Sequence, residues 1–400
     1  MVPANPTLAM AIQILFLMCM LCHSGFGGSR VPLSLYALDQ GASQFTIGVL
    51  MALYAICPLF LAILVGRFAD RVGPRIPMLI GVGGVIVGLL LPPLFPGVPT
   101  LYATALILGS TFHFFFITVQ GIAGGIGGPE RRSRNFALIG MGFSAAGFIG
   151  PFLAGLTIDH FGHLQAFLML AVFPVPPLLV LLFKPGFLPK PRKHADAPHH
   201  GSAFDLLRVK GLRNTFIASG ILSAAWDLFQ FYFPVYGHSV GLSASAIGTV
   251  LGVFAVATFT VRVAIPRLAK RYPEAQVLTG AIFVAAFAFV LFPFFSNAYV
   301  LAAIAFVLGL GVGCGQPVSM SLIYALAPAG RAAECAGLRV TANNVMHLLI
   351  PLLFGSLGTA FGYVPVFLSN SALLVAGGVL LRRARISPEQ LGEAKSARLH

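Results

Sequence analysis

The chain has 400 residues, of which 58% are hydrophobic and only 9% are charged, and its formal net charge is +14. A mean hydropathy of +0.91 excludes the class of soluble globular domains, so we expect an integral membrane protein. The positive charge alone would suggest a nucleic-acid partner, but the placement of the basic residues along the chain indicates another cause.

Apolar runs of about 20 residues, long enough to cross a bilayer, recur throughout the chain. The short alternating segments of an outer-membrane barrel are absent, so the sequence predicts an all-α membrane protein. Pro32 is expected to bend the first span near its outer end. The twelve predicted spans are 9–38, 45–66, 76–95, 99–122, 136–156, 165–184, 212–236, 245–268, 275–295, 299–325, 335–357 and 364–383.

Span 1 contains two patterns that resemble a signal peptide and a haem-attachment motif. Residues 8–22 form a short apolar run, but no positive region precedes them, so we expect an uncleaved helix rather than a signal peptide. Cys19, Cys22 and His23 match the C-x-x-C-H spacing of c-type haem attachment. Within a membrane helix the same spacing places three small or polar residues on one face, which suits close packing or the lining of a cavity, so we expect no haem. His23 is also a candidate protonatable group.

The basic residues are sorted by side of the membrane. Lys and Arg follow the even-numbered spans and do not occur after the odd-numbered ones. Under the positive-inside rule, both termini are therefore cytoplasmic, and the expected location is a plasma membrane, the inner membrane of a bacterium. The high net charge reflects this orientation, and no nucleic-acid partner is expected.

The sequence repeats itself at a shift of 200 residues. Each half contains six spans, and an even number returns the chain to the same side, so the halves run parallel. We predict a six-helix bundle at 1–184, a cytoplasmic linker at 185–211, a second bundle at 212–383 and a cytoplasmic tail at 384–400. The repeated pairs include Tyr36 and Tyr236, Gly41 and Gly241, Arg67 and Arg267, Arg131 and Arg331, and Pro151 and Pro351.

The segment GRFADRVGPR at 66–75 follows span 2. It resembles the loop between helices 2 and 3 of the major facilitator superfamily, and only Phe68 and Pro74 depart from the family pattern. The resemblance implies two six-helix bundles and transport by alternating access. It also implies that Asp70 meets the start of span 11 and closes the cytoplasmic side. The gating residues implied are Gly66, Asp70, Arg71, Gly73 and Arg75.

Span 5 resembles a glycine-rich pattern that proton-driven exporters of the superfamily carry. Three of its glycines are alanines here, whereas Gly150, Pro151 and Gly155 match the pattern. Small residues and a proline bend a helix and allow a partner from the other half to approach closely. The alternative is ordinary tight packing of a small-residue helix.

Span 4 lacks a charge that many drug:proton antiporters of the family carry. The expected arginine lies three residues before a Gln-Gly pair, and that position is Ile117 here, before Gln120. His113 is the nearest candidate for a proton-responsive group on this span, and the alternative is a packed histidine.

A carboxylate lies well inside span 7, next to aromatic and amide side chains. Asp227 and Arg30 are candidates for a proton-coupling pair, because the 200-residue repeat places them about one helical turn apart on matching helices. Arg262 is expected to extend its charge towards the cytoplasmic surface. Arg339, Asn343 and His347 repeat every four residues on span 11, so we expect them to face protein, either at the interface between the two halves or at the cavity. The candidate cavity residues are Trp226, Gln230, Tyr232, Gln120, Gln316 and Asn343.

These features predict a proton-coupled secondary transporter, not an enzyme, that exports a hydrophobic or amphipathic organic compound or a metabolite. The alternatives are a proton symporter that imports a small nutrient and a membrane-tethered receptor or redox protein. No nucleotide-binding loop is visible, so ATP is not expected to drive transport. We expect no cofactor and no metal, and a monomer whose partners are protons, a small-molecule substrate and the lipid bilayer.

Overall fold

The computed structural model describes residues 6–126, 129–188, 203–327 and 331–383. Within these ranges the chain forms helices and no β-strand, which confirms the all-α class. Short 3-10 turns lie at Pro185–Phe187, Ala203–Arg208 and Phe292–Phe294. The α-helices are α1 (Pro6–Gly28), α2 (Arg30–Asp39), α3 (Gln44–Val72), α4 (Arg75–Leu94), α5 (Val98–Gly125), α6 (Pro129–Phe161), α7 (His163–Val172), α8 (Val175–Phe183), α9 (Lys210–Ser239), α10 (Ala244–Arg271), α11 (Glu274–Leu291), α12 (Ala298–Leu326), α13 (Ala332–Phe361) and α14 (Tyr363–Arg383).

The first and the sixth predicted spans are each divided into two helices. Span 1 breaks at Ser29, because Pro32 has no N–H to donate to the carbonyl of Gly28. Span 6 breaks between α7 and α8, where Pro174, Pro176 and Pro177 remove three backbone N–H donors within about one helical turn. Both breaks therefore follow from proline, but the sequence analysis predicted only the one in span 1.

In the described chain, eleven helical spans are long and apolar enough to cross a membrane. The remaining predicted span, 45–66, lies within α3, whose described apolar stretch Gln44–Ile56 is shorter. The helices begin and end within a few residues of most predicted bounds. Because the described chain contains eleven such apolar spans, the protein is a multi-pass membrane protein.

The internal duplication is visible in matching turns. Gly41 before α3 and Gly241 before α10 have φ angles of 78° and 80°, which favour glycine. Gly162 and Gly362, which precede α7 and α14, also have positive φ angles of 96° and 77°. Equivalent positions of the two halves thus require the same backbone conformation.

The described residues form two compact units. Unit 1 comprises the described parts of Met1–Asp196 and Phe233–Ala255, and unit 2 comprises those of Ala197–Tyr232 and Val256–His400. The end of α9 and the start of α10 therefore belong to unit 1, although the sequence repeat assigns them to the second half.

Small residues bring the helices of unit 1 close together. α1 packs on α6 where Gly28 meets Gly150, and a Cβ built on Gly150 would lie 2.9 Å from the backbone nitrogen of Gly28. α4 and α5 approach in the same way, because a Cβ on Gly81 would lie 2.6 Å from the backbone nitrogen of Phe115. These contacts rely on van der Waals packing, the main attraction available between helices in lipid.

Unit 2 has an aromatic core. Phe292 stacks on Phe367 with ring centroids 5.4 Å apart, and Phe229 lies 5.6 Å from Phe292. All three side chains are fully buried. Together with the packing of α11 on α12 and α14, this core fixes the helices that carry the polar residues described next.

Candidate transport site

A hydrogen-bonded contact between an aspartate and a histidine joins α9 and α13 inside unit 2. The carboxylate of Asp227 contacts Nδ1 of His347, and the two residues are 120 positions apart in the chain. The Asp227 side chain is only 9% exposed, so its charge is largely withdrawn from solvent. Ionisable groups within membrane spans are costly, and a pair that can exchange a proton is a candidate coupling site.

A second polar contact joins the same two helices closer to their first residues. Arg339 on α13 is 3% exposed, and its Nη1 donates to the hydroxyls of Ser219 on α9 at 3.0 Å and of Ser319 on α12 at 3.3 Å. The offset from Ser219 to Arg339 is again 120 residues, so α9 and α13 run parallel here. Eight residues separate the two contacts along each helix, or about 12 Å.

A cavity of about 160 Å³ lies along these contacts. Three of the six predicted cavity residues, Trp226, Gln316 and Asn343, line it. Oδ1 of Asn343 is buried and has no hydrogen-bond partner among the described residues. The charged and titratable side chains that line the cavity are Arg262, Arg339 and His347.

Arg262 therefore differs from its expected placement. We expected its side chain to extend towards the cytoplasmic surface, but the structure places it on the cavity wall. The cause is tertiary, since α10 presents this residue to the same space as α9, α12 and α13.

The other three predicted cavity residues do not line this space. Tyr232 is fully buried and packs edge-on against Phe367, with ring centroids 5.7 Å apart. Gln230 is half-buried. Gln120 lies in unit 1, where its buried Oε1 has no hydrogen-bond partner in the described part of the chain.

A larger cavity of about 450 Å³ in unit 2 has an apolar lining that includes Val277, Val284 and Leu310. No charged side chain occurs among the described residues that line it. It offers no group that binds a proton near neutral pH, so we do not assign the coupling site to it.

Two predicted proton-coupling candidates in unit 1 lie among aromatic rings. His23 packs against Phe112 and Phe143, with ring centroids 5.4 and 5.0 Å away, and its buried Nδ1 has no hydrogen-bond partner within the described ranges. The Arg30 guanidinium lies 5.4 Å from the centroid of the Tyr54 ring. This is within the range of cation–π attraction, which offsets part of the cost of burying the charge.

The remaining histidine candidate has a backbone partner. Nδ1 of His113 is 2.8 Å from the carbonyl oxygen of Gly109, one turn earlier on α5. The contact fixes the orientation of the ring. Such a contact is compatible with the packed alternative, and a proton-coupling role for His113 stays a prediction.

The CxxCH pattern lies in the core of α1. Cys19 and Cys22 are both free and fully buried. Buried thiols behave as small apolar side chains, and thus they contribute to packing in this helix.

The glycines of the span 5 pattern contact two different partners within unit 1. Gly150 lies against Ser24 and Gly28 of α1, whereas a Cβ on Gly155 would collide with the carbonyl oxygen of Ala244 at the start of α10. The helix end that contains Gly155 and Pro151 thus lies against residues that the repeat assigns to the second half.

The side chain of Asp70, the central predicted gating residue, lies outside the part of the structure that is described. Gly73 ends α3 with φ 83°, and Arg71 is exposed in the last turn of that helix. Among the described residues, no atom outside its own helix lies within 4 Å of a Cβ built on Gly66, and the gating role of this residue stays a prediction. Arg75 donates to the carbonyls of Leu181 and Leu182, at 3.1 and 2.9 Å, and caps the end of α8.

Asp159 caps the start of α10, although no motif in the sequence marks it for this role. Its carboxylate accepts hydrogen bonds from the backbone N–H groups of Ala244 at 2.9 Å and Ser245 at 2.8 Å. The next free N–H, that of Ala246, donates to the hydroxyl of Ser243 at 3.2 Å. Three N–H groups that a helix leaves without internal partners are thereby satisfied, and the negative charge complements the helix dipole.

We expect Asp159→Ala to lower the midpoint of thermal unfolding, measured on purified protein in detergent. The substitution leaves the amides of Ala244 and Ser245 without their acceptor, which corresponds to about 1 kcal/mol for a lost cap. The matched control is Asp205→Ala, because Asp205 is an exposed acid 3.8 Å from Arg208 and should leave the midpoint unchanged. Equal midpoints for the two variants would contradict the capping role.

Sequence analysis also missed the partner of Asp227. The four-residue spacing of Arg339, Asn343 and His347 indicated a face of α13 turned towards protein, but not the helix it would meet. The structure places all three beside the α9 face that carries Ser219 and Asp227. The proposed contact between Asp227 and Arg30 stays a prediction.

Comparison with known proteins gives the family. The family model of the Major Facilitator Superfamily matches residues 15–351 and 215–399. Tetracycline resistance protein, class D, from Salmonella ordonez is 26% identical over 318 residues, which covers 77% of this chain and 78% of that protein. Multidrug efflux pump LfrA from Mycolicibacterium smegmatis is 26% identical over 389 residues, covering 82% and 76%.

Solved structures share the fold at lower identity. A crystal structure of the nucleoside transporter NupG, in a mutant form, has a TM-score of 0.80 at 15% identity and covers 94% of this chain and 100% of that one. A bacterial homologue of the human lysosomal transporter Spinster has a TM-score of 0.72 at 14% identity, covering 98% and 97%. The helical order, the internal duplication and the match along almost the whole sequence lead to one assignment: this chain belongs to the Major Facilitator Superfamily.

Proposed function

We propose that this transporter exports a small amphipathic organic compound in exchange for protons. The observation that carries the proposal is the contact of Asp227 with His347, two titratable side chains on different helices beside a polar cavity. The names of the relatives support the direction, since they include a tetracycline resistance protein and a multidrug efflux pump.

The pair links proton binding to helix position. With Asp227 ionised, its carboxylate holds His347 and thereby ties α9 to α13. A proton on Asp227 removes the negative charge and weakens that tie, because a charged hydrogen bond is stronger than a neutral one. Alternating access requires such a contact, whose strength differs between the loaded and the empty state.

We further propose that the protein works as a monomer in the bacterial inner membrane, with both termini in the cytoplasm. The basic residues after the even-numbered spans support this orientation. In this orientation the contact of Asp159 with α10 lies at the outer end of the helices, and the segment of Gly66 to Arg75 lies at the inner end.

Reconstituted protein in liposomes with an imposed pH gradient tests the exchange. The probes are tetracycline, the ethidium cation and benzoate, so that zwitterionic, cationic and anionic compounds are all offered. Exchange moves a compound into the acidic compartment as protons leave it, so we expect accumulation there for at least one probe. Protein-free liposomes measure the passive distribution of each compound, which must be subtracted.

Accumulation in the alkaline compartment would instead identify proton symport and remove the export proposal. Movement that equilibrates each probe without regard to the pH gradient would remove proton coupling altogether. Both outcomes are read from the same experiment.

A further inference from the structure

We infer that the cavity beside α9 and α13 binds the anionic group of the substrate, and that the substrate is a small amphipathic organic anion such as a monocarboxylate. The inference rests on the proposed transport function and adds a substrate class to it. It is carried by the charges that the structure brings to the cavity wall, Arg262 from α10 and Arg339 from α13.

The charge on the cavity wall is positive. Two arginines line the space, and of the described residues that line it none is acidic. The nearby carboxylate, that of Asp227, contacts His347. An anion is attracted to guanidinium groups on the wall of a cavity inside a membrane-spanning unit more strongly than in water, because the lower dielectric constant strengthens the Coulomb interaction.

Arg339 is held in position to bind such a group. Its Nη1 donates to Ser219 and Ser319, which come from two different helices, so the guanidinium plane is fixed before a ligand enters. A guanidinium carries five N–H donors in a planar fork that matches the two oxygens of a carboxylate. Such preorganisation reduces the entropy lost on binding.

Polar neighbours extend the same site. Asn343 lies between Arg339 and His347 along α13, and its buried Oδ1 has no hydrogen-bond partner in the described residues. Ser223 on α9 faces the cavity at the same level, offset by 120 residues like the two contacts on either side. A ligand that also carries a hydrogen-bond donor would satisfy the Asn343 oxygen.

The size and the apolar part of the wall restrict the ligand further. The volume of about 160 Å³ is below the roughly 300–1,000 Å³ of pockets that hold drug-sized ligands. Trp226, Leu222 and Val312 supply apolar surface beside the charges. These features suit a carboxylate attached to a small ring or short hydrocarbon chain better than a polyanionic sugar phosphate.

The single tryptophan of the chain provides a fluorescence signal for ligand binding in this cavity. Trp226 lines it, and the sequence contains no other tryptophan. Fluorescence excited selectively at tryptophan therefore reports on this site in the full-length protein, without labels. The probes are benzoate, benzyl alcohol and benzylamine, which share a ring and differ in charge, and hexanoate as a second carboxylate.

We expect benzoate to change the fluorescence at concentrations at least tenfold lower than benzyl alcohol or benzylamine, about the factor for one charge-assisted hydrogen bond. Arg262→Gln should weaken benzoate binding by about tenfold or more, while Arg262→Lys, which keeps the charge, should weaken it less. Arg267→Gln is the matched control, because Arg267 is exposed on the same helix α10 and lies outside the cavity lining. Arg339→Gln should also weaken benzoate binding, but it removes the contacts with Ser219 and Ser319 as well, so Arg262→Gln is the variant that tests the site.

Three results would overturn the anion site. The first is an affinity for benzyl alcohol or benzylamine equal to that for benzoate, and the second is an unchanged benzoate affinity in Arg262→Gln. The third is tryptophan fluorescence that does not change with benzoate or hexanoate. If chloride at the same concentration gives the same response, the cavity takes inorganic anions and the assignment to an organic substrate fails. The binding assay uses no gradient, so it separates this inference from the proposed export. If the protein binds carboxylates but a pH gradient drives no transport in liposomes, the proposed export is contradicted and the anion site is not.

Discussion

Asp227→Asn is expected to abolish nearly all proton-driven transport while leaving ligand binding in the cavity largely intact. The amide has the shape of the carboxylate and can still hydrogen-bond to His347, so the contact between α9 and α13 is preserved. It cannot take up or release a proton, so the link between protonation and helix position is lost. The measurement is accumulation of a transported probe in liposomes with and without a pH gradient.

The control for this variant is Asp205→Asn, which removes an exposed acid from the 3-10 turn Ala203–Arg208. It should transport at the wild-type rate. If Asp227→Asn accumulates the probe as strongly as the control does, Asp227 is not the coupling carboxylate. His23, whose buried Nδ1 has no hydrogen-bond partner in the described chain, and His113 would then be the next candidates.

Gly150→Ala should destabilise the protein strongly even though it adds a single methyl group. A Cβ at this position would lie 2.9 Å from the nitrogen and 3.0 Å from the Cα of Gly28, and still closer to the carbonyl oxygen of Ser24. All three atoms belong to backbone that cannot rotate away, so α1 and α6 must separate. Overpacking of this kind costs about 1–3 kcal/mol, which should appear as a lower midpoint of thermal unfolding.

Gly140→Ala is a matched control on the same helix α6. In the described part of the chain, no atom outside the helix's own backbone lies within 4 Å of a Cβ built there. Alanine is favoured over glycine inside a helix by about 0.5–1 kcal/mol, so this variant should be as stable as the wild type or more stable. Both substitutions replace a glycine by an alanine, but Gly150→Ala is expected to lower the midpoint of thermal unfolding and Gly140→Ala to leave it unchanged or raise it. A higher midpoint for Gly150→Ala would show that the helices can adjust without loss.

The helices and their order could be predicted from the sequence because the bilayer imposes a length and an apolar composition on each span. Pro32 identified the break between α1 and α2, since the missing N–H is a property of the residue itself. The same reasoning applied to Pro174, Pro176 and Pro177 would have found the break between α7 and α8. The repeat of Gly41 at Gly241 likewise reflects a local backbone requirement that any copy of the turn must meet.

The chemistry of the candidate site was only partly visible in the sequence. Asp227 was singled out because a carboxylate in a membrane span is costly, and Asn343 and His347 because their spacing places them on one face of a helix. Arg262 was expected to extend towards the surface, because its distance from the end of the helix allowed it. Nothing in a single helix shows which neighbouring helix its polar face will meet.

The sequence by itself determined the membrane class, the twelve spans, the duplication and the family resemblance, since each depends on composition or on spacing along the chain. Only the tertiary structure decided that Asp227 pairs with His347, that Arg262 and Arg339 share one cavity, and that Asp159 caps α10. Asp227 and His347 are 120 positions apart in the chain, Asp159 and Ala244 are 85 apart, and the two arginines that line the cavity, Arg262 and Arg339, are 77 apart. The formation of these arrangements depends on how whole helices pack, and packing is set by the summed contacts of many side chains rather than by any local pattern.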